Sequence, residues 1–136
     1  MATYQKPLPV VDEESRPYWE ACKRHELVIQ RCKDCGTFRF YPRALCGECL
    51  SGNTEWVRAS GKGTVYTFTV TYQNRGAGFR DELPYILAYV ELEEGVRMLT
   101  NIVDCPPEKV RIGMPVEVTF EDVTEEITLP KFRPAE

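Results

Sequence analysis

Apolar and polar positions along this chain change rhythm twice. Between Asp12 and His25 the spacing is helical: Tyr18, Cys22 and His25 share one face, with Trp19 beside them. One short helix is predicted there, with Ser15 as its N-cap, Pro17 tolerated in the first turn and Glu20 matching the charge preference of that end. The preceding stretch, Met1 to Val11, carries Pro7 and Pro9 and reads as an extended arm. From Leu27 the rhythm becomes a strand's. Leu27–Arg31, Thr37–Tyr41 and Thr54–Ala59 are short candidates separated by two cysteine-bearing turns, and residues 26–59 form a small two-knuckle module.

After Gly61 the alternation strengthens. Thr64–Tyr72 is β-branched and aromatic, and Tyr85–Leu92, Val96–Val103, Val116–Phe120 and the shorter Glu126–Phe132 follow. A polar, glycine-bearing loop, Gln73–Glu82, joins the first two. Cys105–Val110, opening on Pro106 and Pro107, suggests a turn or one short helix. Five short strands with a helical insert between the third and fourth suggest a Greek-key barrel of the OB type, with a plain β-sandwich as the alternative. The expected organisation is an arm and helix over 1–25, a knuckle module over 26–59 and a barrel over 60–136.

Composition narrows the functions. A chain of 136 residues has room for one main core. Its net charge of -4 disfavours general nucleic-acid binding and gives no electrostatic reason to sit on an anionic membrane. No stretch approaches the roughly 20 apolar residues that cross a bilayer. No secretory leader pattern opens the sequence, so a cytoplasmic location is expected.

That compartment shapes the reading of six cysteines. Cys32, Cys35, Cys46 and Cys49 form two C-x2-C pairs, with Gly36 and Gly47 giving the turns room. Two facing knuckles make a tetrahedral thiolate site suited to one zinc ion. Iron uses the same ligands in mononuclear sites. Two disulfides would need an oxidising compartment, and a redox C-x2-C occurs once, near a βαβ pattern. Four thiolates leave no position for water, so the site is expected to be structural. Cys22 and Cys105 are expected to be buried small apolar residues.

Catalytic signatures are missing. His25 is the single histidine and reads as a capping or surface residue. No Ser/His/Asp set, dinucleotide fingerprint or P-loop is present. The acidic run Glu121, Asp122, Glu125, Glu126 reads as a solvated strand end. Activity of the chain alone is not expected. Phe38, Phe40, Tyr41 and Trp56 are too many aromatics for so small a module to bury, so a partner interface is one expectation and packing between ribbon and barrel the other.

The segments YWEACKRHELVIQRCKDCG (18–36), YPR (41–43), CGEC (46–49), EWVRASGKGTVYTFTV (55–70), PYILAYVEL (84–92) and IGMPVEVTF (112–120) resemble, in this order, the acyl-CoA-associated zinc-ribbon/OB-fold proteins. The resemblance implies an N-terminal helix, a rubredoxin-like zinc ribbon and a five-stranded OB barrel. It implies a small non-catalytic subunit of a thiolase-like acyl-CoA enzyme, compatible with a benzoylsuccinyl-CoA thiolase, or else of an enoyl-CoA hydratase or aldolase. The implied partners are the larger enzyme subunit and an acyl-CoA, with a coenzyme A thioester at the interface. Two departures stand out: His25 occupies a common glycine position, and Cys46-Gly47 replaces a frequent Cys-Pro. On this view Arg75 and Arg80 of the Gln73–Glu82 loop would meet CoA phosphates and Phe79 would reach a partner's entrance, against the alternative of a mobile solvated loop. A single-stranded nucleic-acid-binding module is the competing class, with aromatics stacking bases.

Overall fold

The computed structural model describes residues 4–135. The first part of the expected arm, residues 1–3, lies outside them. Helix α1 (Arg16–Lys23) is followed by β1 (Val28–Cys32), β2 (Phe38–Arg39) and β3 (Thr54–Arg58), and then by β4 (Lys62–Thr71), β5 (Tyr85–Leu92), β6 (Arg97–Ile102), β7 (Pro115–Asp122) and β8 (Thr128–Pro134). Short 3-10 turns cover Arg80–Glu82 and Pro107–Lys109.

The ribbon sheet has the order β2-β1-β3, all antiparallel. The barrel closes in the order β4-β5-β6-β8-β7, with β6 and β8 parallel and the other pairs antiparallel. This is the OB arrangement and not the sandwich. Closure is made at Gly63, which pairs with Leu92 of β5 on one side and Val116 of β7 on the other. A Cβ there would run into the carbonyl oxygen of Glu91, so no larger residue lets the three strands converge.

Alternation selects the core. In β5, Ile86, Ala88, Val90 and Leu92 point inward and are buried, while Tyr85, Leu87, Tyr89 and Glu91 are not. They meet Val65, Met98, Ile102, Val116 and the fully buried Phe132. Each such aliphatic side chain contributes about 1.5–3 kcal/mol relative to exposure. The same cluster continues into Tyr18, Trp19 and Cys22 of α1 and into Leu27 and Ile29 at β1. Helix α1 touches both β1 and β8, so it wedges ribbon against barrel.

Ser15 takes the N-cap position of α1 as expected, but the end is held differently. Ser15 makes no side-chain cap. Asp12 does that work: its Oδ1 accepts from the Ser15 amide at 2.9 Å, and the Asp12 amide donates to Ser15 Oγ at 3.2 Å, a reciprocal box three residues wide. At the other end the His25 amide donates to Cys22 O (2.8 Å) and the Glu26 amide to Ala21 O (2.9 Å). These two bonds are a Schellman closure, and His25 takes its left-handed position at φ 62°. Cys22 is buried as expected, and burial pushes its thiol up to about 12. Cys105 is only half-buried, at the turn after β6.

Candidate metal centre

Strand β1 ends on Cys32, and the chain then turns back on itself. The Cys32 amide donates to Thr37 O and the Gly36 amide to Cys32 O, both at 2.9 Å. The second knuckle repeats the pattern: the Cys46 amide donates to Ser51 O and the Leu50 amide to Cys46 O, again at 2.9 Å. The residue after the second cysteine of each pair has positive φ, 79° at Gly36 and 62° at Leu50. Sequence reasoning gave Gly47 the turn-opening role. The structure moves it to Leu50, and a Cβ on Gly47 would meet nothing within 4 Å. The knuckles are tied together where the Lys33 amide donates to Asn53 O at 2.8 Å and the Asp34 carboxylate accepts from the Ser51 hydroxyl.

The four sulfurs lie within 4.8 Å of one another. Cys32 and Cys49 Sγ are 3.5 Å apart, and Cys35 and Cys46 Sγ 3.6 Å. Metal–sulfur arms of about 2.3 Å in a regular tetrahedron give edges of about 3.8 Å, so the cage fits one zinc ion. Cys32 and Cys46 are buried, whereas Cys35 and Cys49 face outward. The Thr37 hydroxyl and amide lower the Cys35 thiol to about 6. The Cys35 amide holds Cys32 below the usual thiol range. The Ser51 amide favours a Cys49 thiolate, but the neighbouring sulfurs outweigh it and push that thiol up to about 12. A fourth negative charge in this cage needs a cation; zinc would supply it, held by Cys32, Cys35, Cys46 and Cys49 with all four of its coordination positions taken by sulfur.

Two of the ribbon aromatics, Phe40 and Tyr41, pack on α1. Phe38, Phe40, Tyr41 and Trp56 are each half-buried against the core. Tyr18 meets Phe40 at 5.5 Å and Tyr41 at 5.9 Å, and Trp19 Nε1 donates to the Tyr41 hydroxyl at 3.2 Å. The Arg31 and Arg43 guanidinium groups lie over Phe38 and Tyr41.

The Gln73–Glu82 loop is ordered by its own bonds. The Gly76 amide donates to Asn74 Oδ1 (2.8 Å), Asn74 Nδ2 to the Tyr85 hydroxyl (3.0 Å), and the Phe79 amide to Gly76 O (3.1 Å). Arg75 and Arg80 are exposed, and Phe79 is half-buried beside the Tyr85 ring.

His25 does find a carboxylate. Its Nε2 is 3.0 Å from Asp122 Oδ1, and the ring stacks on Phe120 at 5.1 Å. Thr128 donates its hydroxyl to the same carboxylate at 2.5 Å. Aspartate thus sits between hydroxyl and imidazole, so the ring cannot act as base toward that hydroxyl. The acidic run Glu121, Asp122, Glu125 and Glu126 is exposed, as its sequence suggested, and Glu121 pairs with Lys131 at 2.5 Å.

Two apolar surfaces were missed. Leu45 and Leu50 are exposed on the second knuckle. On the outer face of β4-β5-β6, Tyr66, Tyr89 and Leu99 are exposed, with Arg97 stacked 3.8 Å over the Tyr66 ring. The signal was in the alternation itself, which sets tyrosine and leucine on the polar side of good strands.

Sulfur cage and barrel together define a zinc-ribbon/OB-fold module. Residues 19–55 match the ChsH2 rubredoxin-like zinc ribbon domain and residues 56–121 the ChsH2 C-terminal OB-fold domain. The chain belongs to this DUF35/ChsH2 family. It is 43% identical over 110 residues to a DUF35 domain-containing scaffold protein of Methanocaldococcus jannaschii, covering 79% of this chain and 77% of that one. It is 42% identical over 130 residues to a probable enoyl-CoA hydratase alpha subunit of Thermomonospora curvata, covering 96% of this chain but only 40% of that protein. An Ltp2-ChsH2(DUF35) aldolase chain superposes with a TM-score of 0.86 at 40% identity, over 95% of this chain and 100% of that one. A benzoylsuccinyl-CoA thiolase subunit of Geobacter metallireducens is 38% identical over 72 residues, covering 53% of this chain and 47% of that one.

Proposed function

We propose that this chain is a non-catalytic accessory subunit that docks on a larger thiolase-like acyl-CoA enzyme and helps shape its acyl-CoA site. The observation that carries the reading is a closed four-thiolate cage in a family whose relatives are named as enzyme subunits and scaffolds. Zinc in such a cage supplies order and not chemistry. Among the described residues nothing else forms a catalytic set. Exposed tyrosine and leucine on the barrel's outer face support a docking role, since such side chains anchor interfaces when rimmed by polar groups. Arg75 and Arg80 are free to meet CoA phosphates at the subunit boundary.

The test is co-expression with a thiolase-like subunit. A stable hetero-oligomer by light scattering, with thiolysis that needs both subunits, is expected. A partner fully active alone and unassociated with this chain overturns the proposal. Arg75→Ala with Arg80→Ala in the complex is expected to raise the KM for the CoA thioester several-fold with kcat little changed. An unchanged KM removes the arginines from the site.

A hydratase partner is the second reading, favoured by the 42% identity to a hydratase alpha subunit. Hydration of an enoyl-CoA in place of thiolysis by the purified complex would select it. Single-stranded nucleic-acid binding is disfavoured by the acidic charge. Salt-dependent binding of single-stranded DNA would revive it.

A further inference from the structure

In an OB barrel the loop between its first two strands and the loop between its last two flank the ligand cleft. Here these are Gln73–Glu82 and the turn after β7 that holds Val123. The gap between them is occupied by this chain's own arm. Tyr4, Gln5 and Lys6 line one small cavity together with Gly78, Glu82 and Val123. Lys6 Nζ donates to Glu82 Oε1 at 2.8 Å, and the same ammonium stands 5.6 Å from the centroids of both Tyr4 and Phe79. The Lys6 side chain is only 10% exposed, unusual for a lysine so close to an arm's start. Backbone meets backbone as well: a Cβ on Gly78 would lie 2.9 Å from the Lys6 nitrogen and 2.8 Å from its Cγ. Burial works against the Lys6 charge, yet Glu82, Tyr4 and Glu121 outweigh it and hold the amine above its ordinary range.

We propose that residues Tyr4–Lys6 are a strap laid across the OB cleft, and that Lys6 is the positioning residue that fixes the Gln73–Glu82 loop for docking. The docking half rests on the accessory-subunit reading; the strap itself does not. Lys6 ties the carboxylate at the loop's end to the ring at its centre, so the exposed Arg75 and Arg80 are presented from a set backbone.

Amide hydrogen exchange on the isolated chain tests the strap. Tyr4→Ala with Lys6→Ala is expected to speed exchange of the Phe79, Arg80 and Glu82 amides about tenfold or more, with the ribbon and inner barrel strands unchanged. Lys6→Met, which keeps the stem and removes the charge, is expected to give part of that effect, and trypsin should cut faster after Arg75 and Arg80 in both variants. Loop amides that exchange at the wild-type rate in the double variant overturn the strap. Affinity for the larger subunit tests the docking role. A fall in affinity that tracks loop opening supports it, and unchanged affinity with an open loop overturns it while leaving the accessory reading intact. Failure of the wild-type chain to assemble would instead sink the accessory reading, and the exchange data would still decide the strap.

Discussion

The two knuckles are near copies in backbone hydrogen bonding, but their fifth residues are not. Gly36 occupies the left-handed position at no steric cost, whereas Leu50 takes it with a side chain that is 74% exposed. A left-handed non-glycine residue costs about 1–2 kcal/mol, and among the described residues nothing repays an exposed leucine there. Leu50→Gly is therefore expected to stabilise the zinc-loaded chain by about 1 kcal/mol, and Gly36→Ala to destabilise it by a similar amount, both read by thermal melting. The sulfur ligands were legible in the sequence because two C-x2-C pairs specify a cage almost regardless of context. The strained residue was not. Gly47 carries the composition signal for a turn, while left-handed geometry falls three residues later on a side chain with no turn propensity.

Among the elements, α1 was legible from its apolar face, and the strands of the barrel from strict alternation. What the sequence hid is how α1 is held at its ends. Asp12 and Ser15 are both acceptable caps, and the winner is decided by one extra turn of chain before Arg16. His25 looked isolated because its partner, Asp122, is distant in sequence on β7. This pairing latches the end of α1 to the barrel. The Thr128 hydroxyl and then the His25 ring hold the Asp122 carboxyl below its usual range. A depressed folded value means the latch contributes fully above the unfolded value of about 3.9 and is lost as pH falls through the folded one. Asp122→Asn is expected to lower stability at neutral pH and to flatten the difference from wild type below about pH 4, checked by chemical denaturation across that range.

At the scale of the whole molecule, one apolar cluster runs through helix, ribbon and barrel, yet the ribbon contributes few of its buried residues. Its order must come from the metal. Chelation, or Cys46→Ser, is expected to release one zinc per chain and to expose β1–β3 to rapid amide exchange while β4–β8 remain protected by their own core. Structural zinc in small modules carries on the order of 10 kcal/mol of folding free energy, far more than so small a sheet recovers from burial. The same variant is expected to lose assembly with a partner, so that any lost activity follows from lost docking. A Cys46→Ser chain that releases its metal and still assembles into a fully active complex would refute that order of events.

The closure of the barrel at Gly63 has a consequence for how other proteins can recognise it. Strand β7 pairs with β4 over Lys62–Thr64 and β8 with β6 at Ile102, so the ring closes at two short seams and leaves less free edge for strand addition than an open sheet would. Recruitment through the outer face of β4–β6 would be read by side chains, which makes it sensitive to point substitution at Tyr66, Tyr89 and Leu99. The ribbon is built the other way. Its order β2-β1-β3 leaves β3, with Trp56 at its centre, as an edge five residues long. A partner that extends the ribbon sheet along Thr54–Arg58 would be blocked by a proline placed there, without a sulfur ligand being touched.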